Sequence, residues 1–233
     1  MADRPEHSEI ALLADAHIGG PGGDAGPLVA QLDALAAAGC RRLVVLGDLF
    51  QVWVAAESYE TEDVRQLMGA IGRLRAAGVA VDYIEGNRDF FVAASRYADM
   101  FDSVGTELAF VAGEKRYLVV HGDGLNHRDR RYLFWRWLSK SWPVRWLMLH
   151  LPRVLARRLV HLTEKGLAGT NFEHKQRIPE EAIRAYGERR LQEGFDHLLL
   201  GHFHEPRSWP AAGGEIRLLD AWFNTRSVEW LEP

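Results

Sequence analysis

The sequence contains a single cysteine, Cys40, among 233 residues, so no disulfide can form within the chain. Without an oxidative framework, a reducing cytoplasm is the simplest compartment. No uninterrupted apolar run approaches the roughly 18 residues that a membrane-spanning helix needs. The amino terminus meets Asp15 after a very short apolar run, instead of the long apolar core of a signal peptide. We therefore expect a protein that is not integral to a membrane, and peripheral attachment stays open.

Charge of one sign is not in excess either, because 28 Lys and Arg against 32 Asp and Glu leave a net charge of -4. The net charge does not indicate a nucleic-acid partner, so a basic patch, if there is one, must be confined to part of the chain. Repeats and low-complexity tracts are also lacking. A composition of 47% hydrophobic and 26% charged residues is typical of a soluble globular protein. We predict a single domain, residues 1–233, with an inserted segment of different character at 125–178.

Strand and helix patterns alternate in the first part of the chain. Short apolar runs at 10–14, 43–46 and 79–84 predict buried strands, and helical spacing predicts helices over 27–39 and 60–77. Further strands are predicted at 108–111, 117–120, 198–200, 216–219 and 228–231. Such alternation implies a mostly parallel sheet with helices packed on it.

Five of these strands are followed directly by side chains that can bind metal ions. The motifs are Asp15-Ala16-His17, Gly47-Asp48, Gly86-Asn87, His121-Gly122-Asp123 and Gly201-His202-Phe203-His204. The first four follow one another at intervals of roughly 33, 39 and 34 residues, about the length of one strand-helix-strand unit each. Each motif alone is compatible with an ordinary turn, but together they predict ligands converging on one sheet edge.

This set of side chains mixes carboxylate, imidazole and amide groups, which suits a borderline divalent ion such as Mn²⁺, Zn²⁺ or Fe²⁺. Seven of these side chains are the candidate ligands: Asp15, His17, Asp48, Asn87, His121, His202 and His204. Seven ligands are too many for one tetrahedral ion. They are about right for two ions that share a bridging carboxylate and clamp the attacking and leaving oxygens of a phosphoryl displacement.

In this order the five motifs resemble those of the calcineurin-like metallophosphoesterases, over essentially the whole chain. The resemblance implies an α/β sandwich of two packed mixed sheets flanked by helices, with a helical cap insertion. It also implies two divalent ions, with Mn²⁺ favoured. One ion would be bound by Asp15, His17, Asp48 and His204, and the other by Asp48, Asn87, His121 and His202, with Asp48 bridging.

The third motif continues as Gly86-Asn87-Arg88-Asp89-Phe90, where many members of the family have a histidine in place of Arg88. An arginine cannot donate a proton at neutral pH, but its guanidinium can hold phosphate oxygens and offset growing negative charge. This stretch resembles one branch, the UDP-2,3-diacylglucosamine pyrophosphatases of lipid A synthesis. The resemblance implies metal-assisted attack of water on the α-phosphorus, which yields UMP and 2,3-diacylglucosamine 1-phosphate. Asn87, Arg88 and Asp123 are the predicted catalytic residues, and Asp89 is a candidate supporting residue.

The inserted segment is basic and aromatic, with ten Arg and Lys residues between 127 and 165 against Asp129 and Glu164, and with four of the eight tryptophans. Pro143 and Pro152 are expected to divide it into separate helices. A basic amphipathic segment of this kind can lie in a bilayer interface or bind acyl chains. The alternatives are a helical lid with solvated arginines, or a surface that stacks single-stranded nucleic acid. The resemblance favours a lipid-linked nucleotide and peripheral contact with the cytoplasmic face of the inner membrane.

The predicted substrate contacts are Arg88, Trp53, Asn171, Lys175, Trp135 and Arg157. The sequence departs from the branch after Trp53, where Val54-Ala55-Ala56-Glu57 replaces Gly-Asp-Asp, and at Gln51, where glutamate is usual. A phosphoesterase of the same fold that acts on another nucleotide diphosphate or phosphodiester is therefore an alternative. A non-catalytic scaffold is a further alternative, which the complete set of ligands disfavours.

Overall fold

A computed structural model describes residues 8–20, 23–127, 129–152, 154–156, 158, 162, 178–211 and 213–231. Its strands are β1 (Ile10–Leu13), β2 (Arg42–Val45), β3 (Trp53–Val54), β4 (Ala80–Ile84), β5 (Asp89–Phe90), β6 (Ser103–Gly105), β7 (Glu107–Ala112), β8 (Lys115–Val120), β9 (His197–Leu200), β10 (Arg207–Ala211), β11 (Gly214–Leu218) and β12 (Glu229–Trp230). The described helices are α1 (Gly26–Leu35), α2 (Glu62–Ala76), α3 (Arg130–Ser139), α4 (Trp142–His150), α5 (Glu180–Gln192) and α6 (Trp222–Thr225), with 3-10 turns at Glu57–Tyr59 and Arg96–Met100.

Two five-stranded mixed sheets form the centre of the molecule. The first has the order β12-β1-β2-β4-β6 and is parallel except at β12. The second has the order β10-β11-β9-β8-β7, with a parallel centre and antiparallel edges. A separate parallel pair joins β3 to β5. The carboxyl ends of β1, β2 and β4 therefore meet at one edge, as do those of β8 and β9.

The two sheets pack face to face because their buried strands are apolar on both sides. Leu12 and Val44 point into the core between the sheets, whereas Leu13 and Val45 point to the helical side. In the second sheet, Val119 faces the core between the sheets. Helices α1 and α2 cover the outer face of the first sheet, and α5 covers that of the second. The predicted fold class, two packed mixed sheets flanked by helices, is confirmed.

Helix α2 shows how local sequence sets an element. Its apolar stripe buries Val64, Leu67 and Ile71, at the spacing of one helix face. The hydroxyl of Thr61 accepts a hydrogen bond from the Val64 amide at 3.3 Å and caps the first turn. The predicted helix 60–77 is thus confirmed within two residues at each end, and the predicted helix 27–39 ends earlier, at Leu35.

All the predicted strands are present, but β3, β5, β6 and β10 were not predicted. Three of the four span only two or three residues, too few for a periodic pattern, and β10 carries Pro210 at a sheet edge. Helices α3 and α4 lie within the predicted insertion, and Pro143 occupies the first turn of α4, which confirms a break there. The outer limits of the insertion, 125–178, and the single-domain assignment stay predictions. None of the described helices is both long and apolar enough to cross a bilayer.

Candidate metal centre

Strand ends of both sheets, not of one sheet edge as predicted, bring two groups of ligand side chains together. One group comprises Asp15, His17 and His204, and the other comprises Asp48, His121 and His202. Within each group the candidate ligand atoms lie within 4.8 Å of one another. The amide oxygen of Asn87 belongs with the second group, because it lies 3.2 Å from Nε2 of His121. The structure therefore gathers all seven predicted ligand side chains in two candidate metal-binding clusters.

The carboxylate of Asp48 lies between the two clusters. Its Oδ2 atom is 3.9 Å from Nε2 of His17 in the first cluster and 3.7 Å from Nε2 of His121 in the second. In the first cluster, Nε2 of His204 is 3.0 Å from Oδ1 of Asp15 and 3.2 Å from Nε2 of His17. Asp48 thus occupies the position that a bridging carboxylate requires.

Backbone strain is concentrated at these side chains. Five candidate ligands have a left-handed backbone, with φ angles of 50° at Asp15, 48° at His17, 52° at Asp48, 69° at His202 and 58° at His204. Each such conformation costs on the order of 1 kcal/mol or more in a residue with a Cβ atom. The left-handed turns re-aim each side chain directly after its strand. Such strain persists where the surrounding structure enforces it, as at functional sites.

Glycines allow the ligand loops to approach one another closely. A methyl group on Gly86 would collide with Oδ1 of Asp48, and one on Gly47 would lie 2.6 Å from the Gly86 amide nitrogen. The carboxylate of Asp89 joins the same loops, since its Oδ2 accepts hydrogen bonds from the amides of Asp48 at 2.8 Å and Gly86 at 2.7 Å. The Gly-Asp and Gly-Asn motifs therefore reflect a steric requirement as well as a turn.

The protonation states suit a divalent cation. Burial lowers the pKa of His17 to about 4 and that of His202 to about 3, so both imidazoles are neutral at neutral pH. Burial alone would raise the pKa of Asp15 and that of Asp48, but neighbouring imidazoles hold both below the usual range. Neutral imidazoles and ionised carboxylates are the forms that bind metal. These nitrogen and oxygen donors fit a borderline divalent ion.

His121 has a defined orientation in the second cluster. Its Nδ1 atom lies 2.6 Å from the carbonyl oxygen of Leu46, so Nδ1 is the ring nitrogen that donates and Nε2 faces Asp48 and Asn87. Burial opposes the charged form, but Asp48 and Asp15 raise the pKa of His121 above its ordinary value. A cation in the cluster would replace that proton.

The predicted catalytic residues Arg88 and Asp123 are both buried. Arg88 has Nε 3.5 Å from Oδ2 of Asp48, and its Nη1 donates to the Gln51 carbonyl at 3.1 Å. Asp123 accepts hydrogen bonds at Oδ2 from the Tyr132 hydroxyl at 2.8 Å and from Nε of Arg136 at 2.5 Å. Burial opposes its ionisation, but the charges of His121 and Arg136 lower the pKa of Asp123 below its usual range.

The other predicted substrate contacts differ in burial, and three of them lie outside the described residues. Trp53 is 2% exposed and packs against Phe50, Tyr83 and Tyr97, with ring centroids 5.2 to 5.6 Å apart, so in this structure it is part of the core. Trp135 is 62% exposed on α3. Arg157, Asn171 and Lys175 lie outside the described residues. The roles of all these side chains stay predictions.

Helix α3 has an unusual polarity, which the sequence did not reveal. Tyr132, Arg136 and Lys140 at its end turn polar groups toward the protein body. Its large apolar side chains face outward, and α4 adds more of them. The exposed set, called here the aromatic face, is Phe134, Trp135, Trp137, Leu138, Trp142, Trp146, Leu147 and Leu149.

Comparisons with known proteins identify relatives that match most of this chain. No family model matches the chain. A UDP-2,3-diacylglucosamine hydrolase of Ralstonia nicotianae is 30% identical over 204 residues, which cover 78% of this chain and 72% of the relative. The enzyme of the same name from Aeromonas salmonicida is 32% identical over 208 residues, which cover 84% of this chain and 79% of that relative.

Solved structures with a similar backbone are more distant. Vps29 of Chaetomium thermophilum has a TM-score of 0.48 at 10% identity, over 96% of this chain and 77% of that one. An archaeal phosphodiesterase has a TM-score of 0.46 at 10% identity, over 95% of this chain and 98% of that one. At these scores neither likeness carries information about the reaction.

Proposed function

The chain belongs to the family of the UDP-2,3-diacylglucosamine hydrolases, and from this premise we propose that it hydrolyses the pyrophosphate of UDP-2,3-diacylglucosamine. The products are UMP and 2,3-diacylglucosamine 1-phosphate, in a step of lipid A synthesis. One observation carries the proposal: Asp48 lies within 3.9 Å of imidazoles in both clusters, an arrangement suited to two ions. A soluble phosphodiester is the alternative substrate.

In this proposal the first ion is held by Asp15, His17, Asp48 and His204, and the second by Asp48, Asn87, His121 and His202. Mn²⁺ is the favoured ion, with Zn²⁺ and Fe²⁺ as alternatives. When bound, two such ions lower the pKa of water and neutralise the phosphate oxygens.

The protein side chains orient the groups that react. Oxygen from water bonds to the α-phosphorus, and the bond from that phosphorus to the bridging oxygen breaks. The departing sugar phosphate is a stable anion, so it needs little protonation. Arg88, beside Asp48, offsets the negative charge that grows during this step. Asp123 holds the loop that carries His121, through its bonds to α3.

The aromatic face supports a lipid-linked substrate and peripheral contact with the cytoplasmic face of the inner membrane. Large apolar side chains exposed together on two successive helices are typical of an interaction surface. Trp142 is 78% exposed and Trp146 is 57% exposed, and Arg130 and Arg131 add exposed basic groups nearby in the chain. Tryptophan and arginine together are typical of segments that lie in the interface of anionic bilayers.

A ³¹P NMR time course tests the proposal. Purified protein is mixed with UDP-2,3-diacylglucosamine in detergent, once with Mn²⁺ and once with EDTA. We expect UMP and the lipid 1-phosphate to appear only with Mn²⁺, and a His17→Ala variant to be inactive. If the lipid substrate survives while a soluble nucleotide diester is cleaved, the metal centre stands and the lipid assignment is wrong.

A further inference from the structure

Helix α3 is attached to two of the loops that carry ligands of the second cluster. Nε of Arg136 donates to Oδ2 of Asp123 at 2.5 Å, and Asp123 follows His121 by two residues. Nζ of Lys140 donates to the carbonyl oxygen of Gly86 at 2.6 Å, and Gly86 directly precedes Asn87. The helix therefore touches both loops near their metal-binding side chains.

These contacts close a ring of interactions that includes two ligands of the second cluster, His121 and Asn87. Arg136 and Lys140 are four residues apart, so they lie on the same side of the helix. At the other side of the ring, the Asn87 amide oxygen and Nε2 of His121 meet at 3.2 Å. A shift of α3 would move the two loops relative to each other and change the separation of these ligand atoms.

Helix α3 directs its polar side chains, not its apolar ones, toward the protein body. A helix packed on a protein core normally buries its apolar stripe and exposes its charges. Here Arg136 and Lys140 are directed inward while Trp135 and Trp137 are exposed. The Asp123 side chain is 4% exposed and that of Arg136 is 28% exposed, so this ion pair is shielded more than a surface pair would be.

We propose that Arg136 and Lys140 are positioning residues for the second metal ion. By holding the loops of His121 and Asn87 at a fixed separation, they raise the affinity of the cluster formed by Asp48, Asn87, His121 and His202. This inference rests on the proposed function only in that both require ions at this centre. The position of helix α3 on the protein body then determines how tightly the second cluster binds a metal ion.

A purely structural role makes a different prediction. If Arg136 and Lys140 only hold the inserted helix in place, their loss changes thermal stability or the KM for a substrate that touches the helix. The affinity of the second cluster for metal then stays the same. If they position ligands, metal affinity falls even in the absence of substrate.

The test measures Mn²⁺ binding by titration of metal-free protein in two backgrounds. His17→Ala removes a ligand of the first cluster, so Mn²⁺ binding in this background measures the affinity of the second cluster. His121→Ala removes a ligand of the second cluster, so Mn²⁺ binding then measures the affinity of the first. Lys140→Met and Arg136→Met are introduced into each. In the His17→Ala background we expect each to weaken binding by about 10- to 100-fold, the usual effect of losing a partner that orients a metal ligand. In the His121→Ala background we expect little change.

Three further variants and a folding check complete the design. Lys140→Arg keeps a donor within reach of the Gly86 carbonyl and is expected to restore most of the affinity. Arg131→Met removes an exposed charge from the same helix and is expected to leave the affinity for Mn²⁺ unchanged. Arg136→Lys keeps the charge opposite Asp123 and is expected to fall between wild type and Arg136→Met. Circular dichroism and thermal melting confirm that each variant is folded.

Unchanged Mn²⁺ affinity in folded Lys140→Met and Arg136→Met, or an equal loss in both backgrounds, would overturn the inference. The outcome does not depend on which phosphate ester is cleaved. A protein that fails to hydrolyse the lipid substrate, yet loses second-cluster affinity in these variants, would contradict the proposed substrate and support the positioning role.

Discussion

The guanidinium of Arg88 lies against the carboxylate of Asp48, with Nε 3.5 Å from Oδ2, and both side chains are buried. The backbone amide of Arg88 also donates to Oδ1 of the same carboxylate at 2.9 Å. Asp48 is therefore approached by Arg88 on both oxygens, while its Oδ2 faces both clusters. At this position the positive charge of Arg88 can stabilise the substrate phosphate, the Asp48 carboxylate, or both.

Replacing Arg88 separates these roles. We expect Arg88→Ala to lower kcat by about 100- to 1,000-fold, the usual effect of removing a preorganised group that stabilises transition-state charge. Arg88→Lys should recover part of the rate, because an ammonium retains the charge but not the planar fork. Steady-state kinetics on metal-loaded protein are the measurement, with metal content determined in parallel. Arg184→Ala, a surface change on α5, is the control, and an undiminished kcat in Arg88→Ala would contradict the assigned role.

Metal stoichiometry tests the bridging position of Asp48. Wild-type protein is expected to bind two Mn²⁺ ions per chain, and His17→Ala and His121→Ala are each expected to lose one. Asp48→Ala should weaken both sites, because its Oδ2 lies within 3.9 Å of an imidazole in each cluster. Elemental analysis after gel filtration gives the counts. His197→Ala, a histidine of β9 outside the clusters, should retain both ions.

Gly86 offers a steric test of the same centre. A methyl group at this position collides with Oδ1 of Asp48, so Gly86→Ala must displace either the carboxylate or the loop that carries Asn87. We expect loss of metal and of activity. Gly69→Ala is the matched control: its new methyl group meets only the Arg73 side chain, at 3.5 Å, and alanine should stabilise helix α2 by about 0.5–1 kcal/mol. Equal activity in the two variants would show that the loops have more room than the structure gives them.

The sequence predicted the metal centre better than its surroundings. Asp15 and Asp48 each follow a continuous apolar run, and neighbouring parallel strands of one sheet end at the same edge. His121 follows a strand of the other sheet, β8. The convergence of Asp15 with Asp48 therefore needed no knowledge of packing, whereas the approach of His121 to Asp48 depends on how the two sheets pack. The left-handed backbone of Asp15 and Asp48 could not be predicted, because their turns are enforced by contacts between loops distant in sequence.

The placement of Trp53 and the orientation of α3 depended on such distant contacts. Trp53 lies in a two-residue strand and packs on Tyr83 and Tyr97, which no local pattern pairs with it. The tryptophans of α3 would conventionally face a core. They face outward because Arg136 and Lys140 find buried partners on the body, Asp123 and the Gly86 carbonyl.

The aromatic face leads to a prediction about lipid bilayers. Trp142 and Trp146 are among its exposed members, at 78% and 57%, and the double variant Trp142→Ser with Trp146→Ser is expected to bind anionic vesicles less tightly. Burying a large apolar side chain contributes about 1.5–3 kcal/mol, so each loss should weaken binding by about tenfold or more. Sedimentation with vesicles of phosphatidylglycerol and phosphatidylethanolamine measures this.

The control for that experiment is Val111→Ser, which removes an equally exposed apolar side chain, at 63%, from β7 in the second sheet. If exposed apolar groups bind vesicles wherever they lie, this variant will weaken binding as well. If the aromatic face is the contact, only the tryptophan variant will bind vesicles less tightly. Added salt will then weaken the residual vesicle binding of that variant, because neighbouring arginines attract the anionic headgroups. Vesicle binding that survives loss of both tryptophans would place the lipid contact elsewhere on the protein.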